Sequence, residues 1–207
     1  KSAPALRHAS PMLQHDHGFL SSLGLPETIL DEVGGEPVDV RNEMRANKAQ
    51  MMEAVRRNGM ALQRATDELR RDKDVVLAAV TQNGLALRHA LDEAKHQKEV
   101  MLAAVRQNGL ALQFGSGDEL RRDRDVVLAA VRQNGLALQH AKDNLKRDLE
   151  TSLAAVRQNG MALELSKCRN AQVVLAAVAQ NRQAIRFVSG GPFWHDERFL
   201  RELVELI

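Results

Sequence analysis

The sequence VRQNGLALQ runs from Val105 to Gln113 and recurs without change from Val131 to Gln139. Near copies begin at Val55, Val80, Val156 and Val178. Aligned on their asparagine, the six copies follow one another at intervals of 25, 25, 26, 25 and 22 residues. A period of about 20–50 residues is typical of solenoids and other repeat arrays. The repetition therefore predicts a chain of stacked structural units.

The composition favours packed helices and gives no support to several classes of protein. Apolar residues make up 44% of the 207 residues, whereas aromatic residues make up only 3%. A core must then consist of Leu, Val, Met and Ala, and alanine lets helices approach closely. No run approaches the roughly 18 apolar residues of a membrane helix. With a net charge of +2, charge alone does not point to nucleic acid or an anionic membrane.

Each repeat is predicted to contain two helices. In the second copy, Asp72 is a good N-cap and Asp74 places an acid in the first turn, where the helix dipole favours it. Val76 and Ala79 recur at helical spacing on an apolar face. Gly84 is predicted to end this helix in the left-handed conformation, and a second helix of about ten residues to begin at once. Helices this short are marginal alone, so the pair needs neighbours.

We therefore predict an all-α protein, an α-solenoid of six two-helix repeats of about 25 residues with an irregular N-terminal arm and a C-terminal capping helix. The arm covers residues 1–46, which hold four of the five prolines, and includes one short helix near 26–33. The solenoid covers residues 47–189, and residues 190–207 form the capping helix. Residues 115–117, Gly-Ser-Gly, add one residue to the third interval, where we expect a bend or a loosened helix.

The repeats resemble a known family. The stretches RDKDVVLAAVTQNGLALRHA and RDRDVVLAAVRQNGLALQHA are similar to a tandem-repeat family of unknown function with the signature D-x-D-V-V-L-A-A-V-x-Q-N-G-x-A-L. The similarity extends from about Asn47 to Val188, and Arg182 departs from it at a glycine position. The family occurs in tandem arrays in protists, algae and some bacteria. The resemblance implies an array of repeats and no particular chemistry.

The asparagine and glycine in the middle of each copy are the candidate structural corner. These residues are Asn58, Gly59, Asn83, Gly84, Asn108, Gly109, Asn134, Gly135, Asn159, Gly160 and Asn181. One interpretation, which we favour, is that asparagine tolerates the left-handed conformation and caps the helix. The other is a ladder, in which each asparagine side chain bonds to the backbone of the adjacent corner. Either role is structural.

A row of arginines is the candidate surface for a partner. Arg56, Arg106, Arg132 and Arg157 share one position in the repeat, which Thr81 and Ala179 interrupt. One interpretation, which we favour, is that a cation in the last turn of a helix suits the helix dipole. The other is a basic edge that faces acids on a partner protein. Asp72, Asp74, Asp123 and Asp125 would then form an acidic edge at the opposite helix ends.

The sequence contains no recognisable catalytic or metal-binding signature, so we predict neither enzymatic activity nor a cofactor or metal. His15-Asp16-His17 offers two imidazoles and one carboxylate, which is weak evidence for a metal site. His89 and His140 share one repeat position and are expected at the surface or in a groove. Cys168, the only cysteine, excludes an intrachain disulfide and is expected to be a buried thiol in a reducing compartment.

These features predict a non-catalytic scaffold whose partners are other protein subunits, with no transmembrane segment. The first fifteen residues contain no acid, which is typical of organelle transit peptides and also of disordered tails. With the algal members of the resembled family, this favours an accessory or linker subunit of a photosynthetic or respiratory complex in a chloroplast or mitochondrion, peripheral to its membrane and held mainly by the arm. Otherwise the protein is expected in the cytoplasm.

The alternative function is a helical repeat that binds nucleic acid. Such repeats read bases with side chains that vary from one repeat to the next, and they use aromatic rings as stacking platforms. Here the repeat positions are nearly constant, and the chain contains no Tyr. The sequence therefore favours protein partners.

Overall fold

The structure, a computed structural model, describes residues 47–188 and 192–207. The regular elements among these residues are all helices, and no strand occurs among them. From Lys48 onward the chain forms one compact unit. The prediction of an all-α repeat solenoid is confirmed. The predicted arm, with its short helix and the His15-Asp16-His17 motif, lies outside the described residues.

Each of the six repeats begins with a ten-residue α-helix, named helix A here. The six helices A are Lys48–Arg57, Lys73–Gln82, Lys98–Gln107, Arg124–Gln133, Leu149–Gln158 and Ala171–Gln180. In repeat 2 the carboxylate of Asp72 accepts hydrogen bonds from the N–H groups of Asp74 and Val75, as an N-cap should. Val76 and Ala79 are fully buried, as predicted. Consecutive helices A pack against each other and build the core between repeats.

The second element of each repeat is a 3₁₀ helix, named helix B, and the predicted ten-residue α-helix is wrong. The six helices B are Gly59–Arg64, Gly84–His89, Gly109–Phe114, Gly135–His140, Gly160–Glu164 and Arg182–Phe187. A 3₁₀ helix has three residues per turn, so residues three apart share one face. Gly84, Leu87 and Ala90 have this spacing, and all three are buried. This face therefore enters the core, and the alanine beside the leucine, Ala86 in this repeat, is buried with it.

A short α-helix, named helix C, completes four of the repeats. The helices C are Asp67–Arg71, Asp92–Lys95, Glu119–Arg122 and Asp143–Arg147. Three of the helices C each bury one leucine side chain, namely Leu69, Leu120 and Leu145. The backbone links neighbouring repeats on this edge as well, because the N–H of Lys142 donates to the carbonyl of Arg121 at 3.0 Å.

The extra residue of the third interval lies in the loop between helices B and C. Gly117 has a φ of 79° and is the only residue with a positive φ in the described part of the chain. Glycine adopts this conformation without steric cost. The hydroxyl of Ser116 donates to Asp92 at 2.7 Å and ties the loop to the preceding repeat. The expected loosening is thus confined to this loop, and helix B of repeat 3 is intact.

The corner glycines permit a close approach between repeats, and their predicted left-handed conformation is wrong. None of the described corner glycines has a positive φ. A Cβ atom on Gly109 would overlap the carbonyl oxygen of Ala130 in the next repeat. The same overlap with the next helix A would occur at Gly59, Gly84, Gly135 and Gly160. Glycine is therefore required because the neighbouring backbone occupies the space of a side chain.

This close approach forms a hydrogen bond across every joint between repeats. The N–H of each corner glycine donates to the side-chain oxygen of the glutamine that ends helix A of the next repeat. The five pairs are Gly59–Gln82, Gly84–Gln107, Gly109–Gln133, Gly135–Gln158 and Gly160–Gln180, at 2.5–2.6 Å. A ladder between corners therefore exists, but glycine and glutamine form it.

The corner asparagines cap the helix that follows them. Asn108 has an extended backbone with a φ of −148°, and its side-chain oxygen accepts a hydrogen bond from the N–H of Leu110 at 3.0 Å. The other five corner asparagines do the same at the start of their helices B. The left-handed conformation predicted for asparagine is absent, and its side chain bonds within its own repeat instead of to the adjacent corner.

The two ends of the described array depart from the glycine–glutamine pair in complementary ways. Repeat 1 has Arg57 where later repeats have glutamine, and no earlier repeat among the described residues presents a glycine to it. Repeat 6 has Arg182 where earlier repeats have glycine, and no further repeat follows it in the described chain. The close approach is absent at Arg182, so a long side chain is accommodated and exposed.

A C-terminal helix, Glu197–Leu206, packs against helix A of repeat 6. Three of the four aromatic residues near this end form one cluster. The ring centroids of Phe193 and Phe199 are 4.8 Å apart, and those of Trp194 and Phe199 are 5.8 Å apart. Phe187 is half-buried and packs against the core. These apolar contacts cover the last repeat.

Gly109→Ala tests the close approach between repeats. We expect it to lower the free energy of unfolding by about 1–3 kcal/mol, because the new methyl group overpacks a filled joint. Arg182→Ala changes the same position in repeat 6 and should cost less than about 0.5 kcal/mol. Denaturant melts of both variants measure the difference. Similar losses in the two variants would contradict the assignment.

Gln107→Met tests the hydrogen bond across the joint. Methionine has a similar volume but leaves the partly buried N–H of Gly84 without its acceptor, which should cost about 1–3 kcal/mol. Arg57→Met is the matched control at the same position in repeat 1 and should change stability by about 0.5 kcal/mol or less. Chemical denaturation of the variants gives both values, and an equal effect at the two positions would exclude a role for the bond.

Candidate interaction surface

The outward side of the six helices A forms the candidate surface. In a ten-residue helix, the first, fifth and ninth residues lie close to one line along the exposed side. Stacking of the repeats extends these positions into three rows. We name them the ion-pair row, at the first residues of helices A, the Leu-Ala row, at the fifth and sixth, and the Arg row, at the ninth.

The ion-pair row joins consecutive repeats through opposite charges. In repeats 1–4 the basic first residue of helix A contacts acids at the start of the next helix A. The pairs are Lys48 with Asp72 and Asp74, Lys73 with Glu99, Lys98 with Asp123 and Asp125, and Arg124 with Asp148 and Glu150. Each acid of the proposed acidic edge is therefore already paired within the chain, although at three of the four joints one cation serves two acids.

The row ends in a matched way. Leu149 replaces the cation in repeat 5, and the neutral residues Asn170 and Gln172 replace the acids in repeat 6. At the joint between repeats 5 and 6, the cation of repeat 5 and the acids of repeat 6 are therefore both absent. This match indicates that the acids serve the neighbouring repeat.

Hydrogen bonding fixes the charged state of the acids in this row. Burial alone would raise the pKa of Asp123, but hydrogen bonds from Lys98 and from the backbone N–H groups of Val126 and Asp125 outweigh it and lower the pKa. The corresponding contacts lower the pKa of Asp72. These carboxylates remain ionised and paired at neutral pH.

The Arg row keeps charge that the described residues leave largely without an ion pair. Arg106, Arg132 and Arg157 occupy three consecutive helices A, and all three are exposed. Arg106 and Arg157 make no ion pair within the described residues, whereas Arg132 lies 3.6 Å from Glu150. Arg56 holds the same position in repeat 1, with Thr81 between it and the others. The structure thus brings three of the four predicted arginines into one uninterrupted row.

Two grooves lie between these arginines. The first, of about 620 Å³, is formed by helices A of repeats 3 and 4, and the second, of about 760 Å³, lies at the joint of repeats 4 and 5. The apolar lining of the first is Leu102, Leu128 and Ala129, and that of the second is Leu149, Leu153 and Ala154. Arg132 borders both grooves. The Leu-Ala row therefore supplies apolar surface directly beside the unpaired cations.

A second basic cluster surrounds a groove at helices B and C of repeats 3 and 4, and it includes His140. Its cations are already engaged: Lys142 pairs with Asp118 at 2.5 Å, and Arg121 and Lys146 donate to backbone carbonyls. Burial lowers the pKa of His140, and the neighbouring cations Arg121 and Lys146 lower it further. Burial, with help from nearby cations, also lowers the pKa of His89. This cluster offers little free charge to a ligand.

Other candidate chemistry receives no support from the geometry. Cys168 is half-buried, burial raises the pKa of its thiol, and its backbone N–H donates to Ser166. In residues 47–188 and 192–207, no three His, Cys, Asp or Glu side chains are grouped so that they could hold a metal ion. The helices in the same ranges all lack the length and apolar character of a membrane span.

The sequence analysis missed two sets of residues that shape this surface. These are the glutamines that end helices A and the basic residues that begin them. Arg57 and Arg182, in the first and last described repeats, and Leu149, in repeat 5, carried a signal for both. Each differs from the residue at the same position of the other repeats, and in each case the described residues include no neighbouring repeat with the matching contact residue.

The stacked units and their constant joints define a helical repeat protein. A family model described as a domain of unknown function (DUF4116) matches residues 47–93, 97–146 and 123–167, which together cover more than half of the chain. The chain therefore belongs to this family, in tandem copies. No curated protein matches the chain, and no solved structure does.

The double variant Asp72→Asn/Asp123→Asn tests the ion-pair row. Both carboxyls have a folded pKa below the unfolded value, so they stabilise the fold above about pH 4, and this contribution disappears as the pH falls through the folded pKa. We expect wild type to lose more stability than the variant between about pH 5 and pH 2. Exposed pairs contribute little, so each should account for under about 1 kcal/mol.

Denaturant melts across this pH range measure the difference. Asparagine preserves the N-cap, as Asn170 shows at the same position in repeat 6, so the comparison isolates charge. Identical pH dependence in wild type and variant would show that the pairs contribute nothing.

Proposed function

We propose that the protein is a non-catalytic scaffold that binds other proteins through the outward face of its helices A, as an accessory or linker subunit of a multiprotein complex. The observation that carries this proposal is the Arg row. Arg106, Arg132 and Arg157 border two apolar grooves, and two of the three have no ion pair among the described residues. Unpaired cations beside apolar grooves suit the binding of a partner chain.

The construction of the array supports the same function. Each repeat is joined to the next by the glycine–glutamine bond and by packing between helices A. From repeat 1 to repeat 5, ion pairs also join consecutive repeats. Repeat arrays of this kind present extended binding surfaces. The face of repeats 3–5 offers several equivalent sites in a line, which suits a partner that runs along the array.

We further propose that the complex is a photosynthetic or respiratory assembly of a chloroplast or mitochondrion, with the protein at its periphery. The support is the acid-free composition of the first fifteen residues. Residues 1–46 would supply a second contact with the complex, because a segment of this composition gathers binding surface along an extended path.

Binding of nucleic acid is the second candidate function. The Arg row favours it, since guanidinium groups bind phosphates as well as carboxylates. However, neither groove of this row is lined by an aromatic residue, so unpaired bases would lack a stacking platform there. Protein partners therefore remain the better proposal.

Co-purification from a native extract tests the scaffold function. Tagged full-length protein should recover a reproducible set of proteins, and cross-linking mass spectrometry should place some of them near Lys98, which lies on the helix A face. Nuclease treatment should leave this set unchanged. A protein that migrates alone at its own mass of 22.9 kDa, without reproducible cross-links, would contradict the proposal.

A variant that lacks residues 1–35 tests the contribution of the arm in the same experiment. The repeats supply their own core, so its melting transition should stay within a few degrees of wild type, the shift that about 1 kcal/mol produces. We expect its recovery of partners to fall, more steeply at moderate than at low salt. Undiminished recovery would place the whole interface on the repeats.

A further inference from the structure

We propose that the Arg row binds an acidic, extended segment of a partner protein, with an acidic side chain at every third residue. The segment would run across helices A of repeats 3, 4 and 5. Its acids would face Arg106, Arg132 and Arg157 in turn, and the residues between them would enter the two grooves. This inference rests on the proposed scaffold function and defines the chemistry of the partner.

Charge complementarity selects an acidic partner. A guanidinium group can bind a carboxylate through two parallel hydrogen bonds, which gives both strength and orientation. Arg106 and Arg157 are free of ion pairs within the described residues. Glu150, the acid nearest to Arg132, is held more closely by Arg124 at 2.8 Å than by Arg132 at 3.6 Å. All three guanidinium groups can therefore engage carboxylates of a partner.

The neighbouring rows set the boundaries of the site. Thr81 in repeat 2 and Ala179 in repeat 6 carry no charge, so the basic row covers three repeats. On the other side of the grooves, Lys98 and Arg124 each pair with two acids, so the ion-pair row keeps a small excess of negative charge there. The first groove is nevertheless lined by two arginines and one acid, and the second by three arginines and two acids, so the lining of each groove is net positive. A partner laid in the grooves would meet this positive charge along the Arg row.

The grooves suit apolar side chains between the acids. Leu102 and Leu153 are half-buried, and Leu149 is 39% exposed, so each groove has apolar surface that a partner could cover. The grooves alternate with the arginines along the row. A partner with two apolar residues between successive acids would match this alternation.

The spacing of the helices favours an extended segment. Packed helices lie about 8–10 Å apart. A polyproline II segment rises about 3.1 Å per residue, so three residues span about 9 Å. Acids at every third residue would therefore reach successive arginines. An α-helix rises only about 1.5 Å per residue and would need acids six or seven residues apart to do the same.

The test is a fluorescence anisotropy titration of the full-length protein against labelled synthetic peptides. The probe is a peptide of four Glu-Ala-Pro units, which favours the polyproline II conformation. Two controls have the same composition, one with the glutamates clustered at one end and one with its residues in scrambled order. A helical peptide with glutamates seven residues apart forms a further arm. We expect the periodic peptide to bind at least fivefold more tightly than the controls.

Two variants with equal charge change locate the site. Arg132→Glu should weaken binding of the periodic peptide at least tenfold, because Arg132 borders both grooves. Arg88→Glu changes an exposed arginine of helix B in repeat 2 and should leave the affinity within twofold. Melting curves confirm that both variants remain folded. Equal effects of the two variants, or equal binding of all peptides, would reduce the interaction to non-specific attraction and overturn the proposal.

The remaining outcomes are also decisive. Tighter binding by the helical peptide, or by a single-stranded oligonucleotide whose affinity also depends on Arg132, would assign the row to a different ligand and reject an extended acidic segment. Failure of every peptide, together with recovery of protein partners from native extract, would reject this inference and leave the scaffold function standing. Absence of protein partners in that extract would reject the scaffold function itself.

Discussion

Each joint in this array depends on one hydrogen bond, from the N–H of a corner glycine to the side-chain oxygen of a glutamine one repeat further along. The bond requires backbone atoms of two repeats to approach so closely that a Cβ atom would not fit. The packing of valine and alanine between helices A follows from the same approach. Because the joint is repeated with nearly constant geometry, equivalent side chains fall into continuous rows on the outer face.

Two kinds of side-chain contact join neighbouring repeats. The glycine–glutamine pair operates at the end of helix A, and the ion-pair row operates at its beginning. Within the described residues, both contacts end where the neighbouring repeat offers no partner. Arg57 and Arg182 stand at the unpaired positions of the first contact, and Leu149 faces a repeat that lacks the acids of the second. The ends of the described array are therefore marked by residues at positions that contact only the adjacent unit.

The parts of the fold that depend on local sequence could be predicted, and the parts that depend on the next repeat could not. Helix A was evident from its acidic cap and apolar spacing. Helix B was ambiguous, because Leu62 and Ala65, buried or half-buried at a spacing of three, fit one stripe of an α-helix as well as one face of a 3₁₀ helix. The conformation of Gly109 was misjudged because the reason for glycine lies in Ala130, 21 positions away. The Arg row was predictable as a repeat position, but its lack of ion pairs depends on how neighbouring helices place their acids.

The differences in repeat length all fall after helix A. Every helix A has ten residues and is followed by one asparagine and a helix B. The inserted residue at Gly117 lies beyond helix B, and the shortening of the fifth interval falls in helix B of repeat 5 and in the segment that follows it. Codons can therefore be gained or lost in the segments that follow helix A, and the helices A remain stacked in the same register. Evolution is free to reshape the loops of individual units, while the spacing of the arginines across the opposite face stays that of the stacked helices.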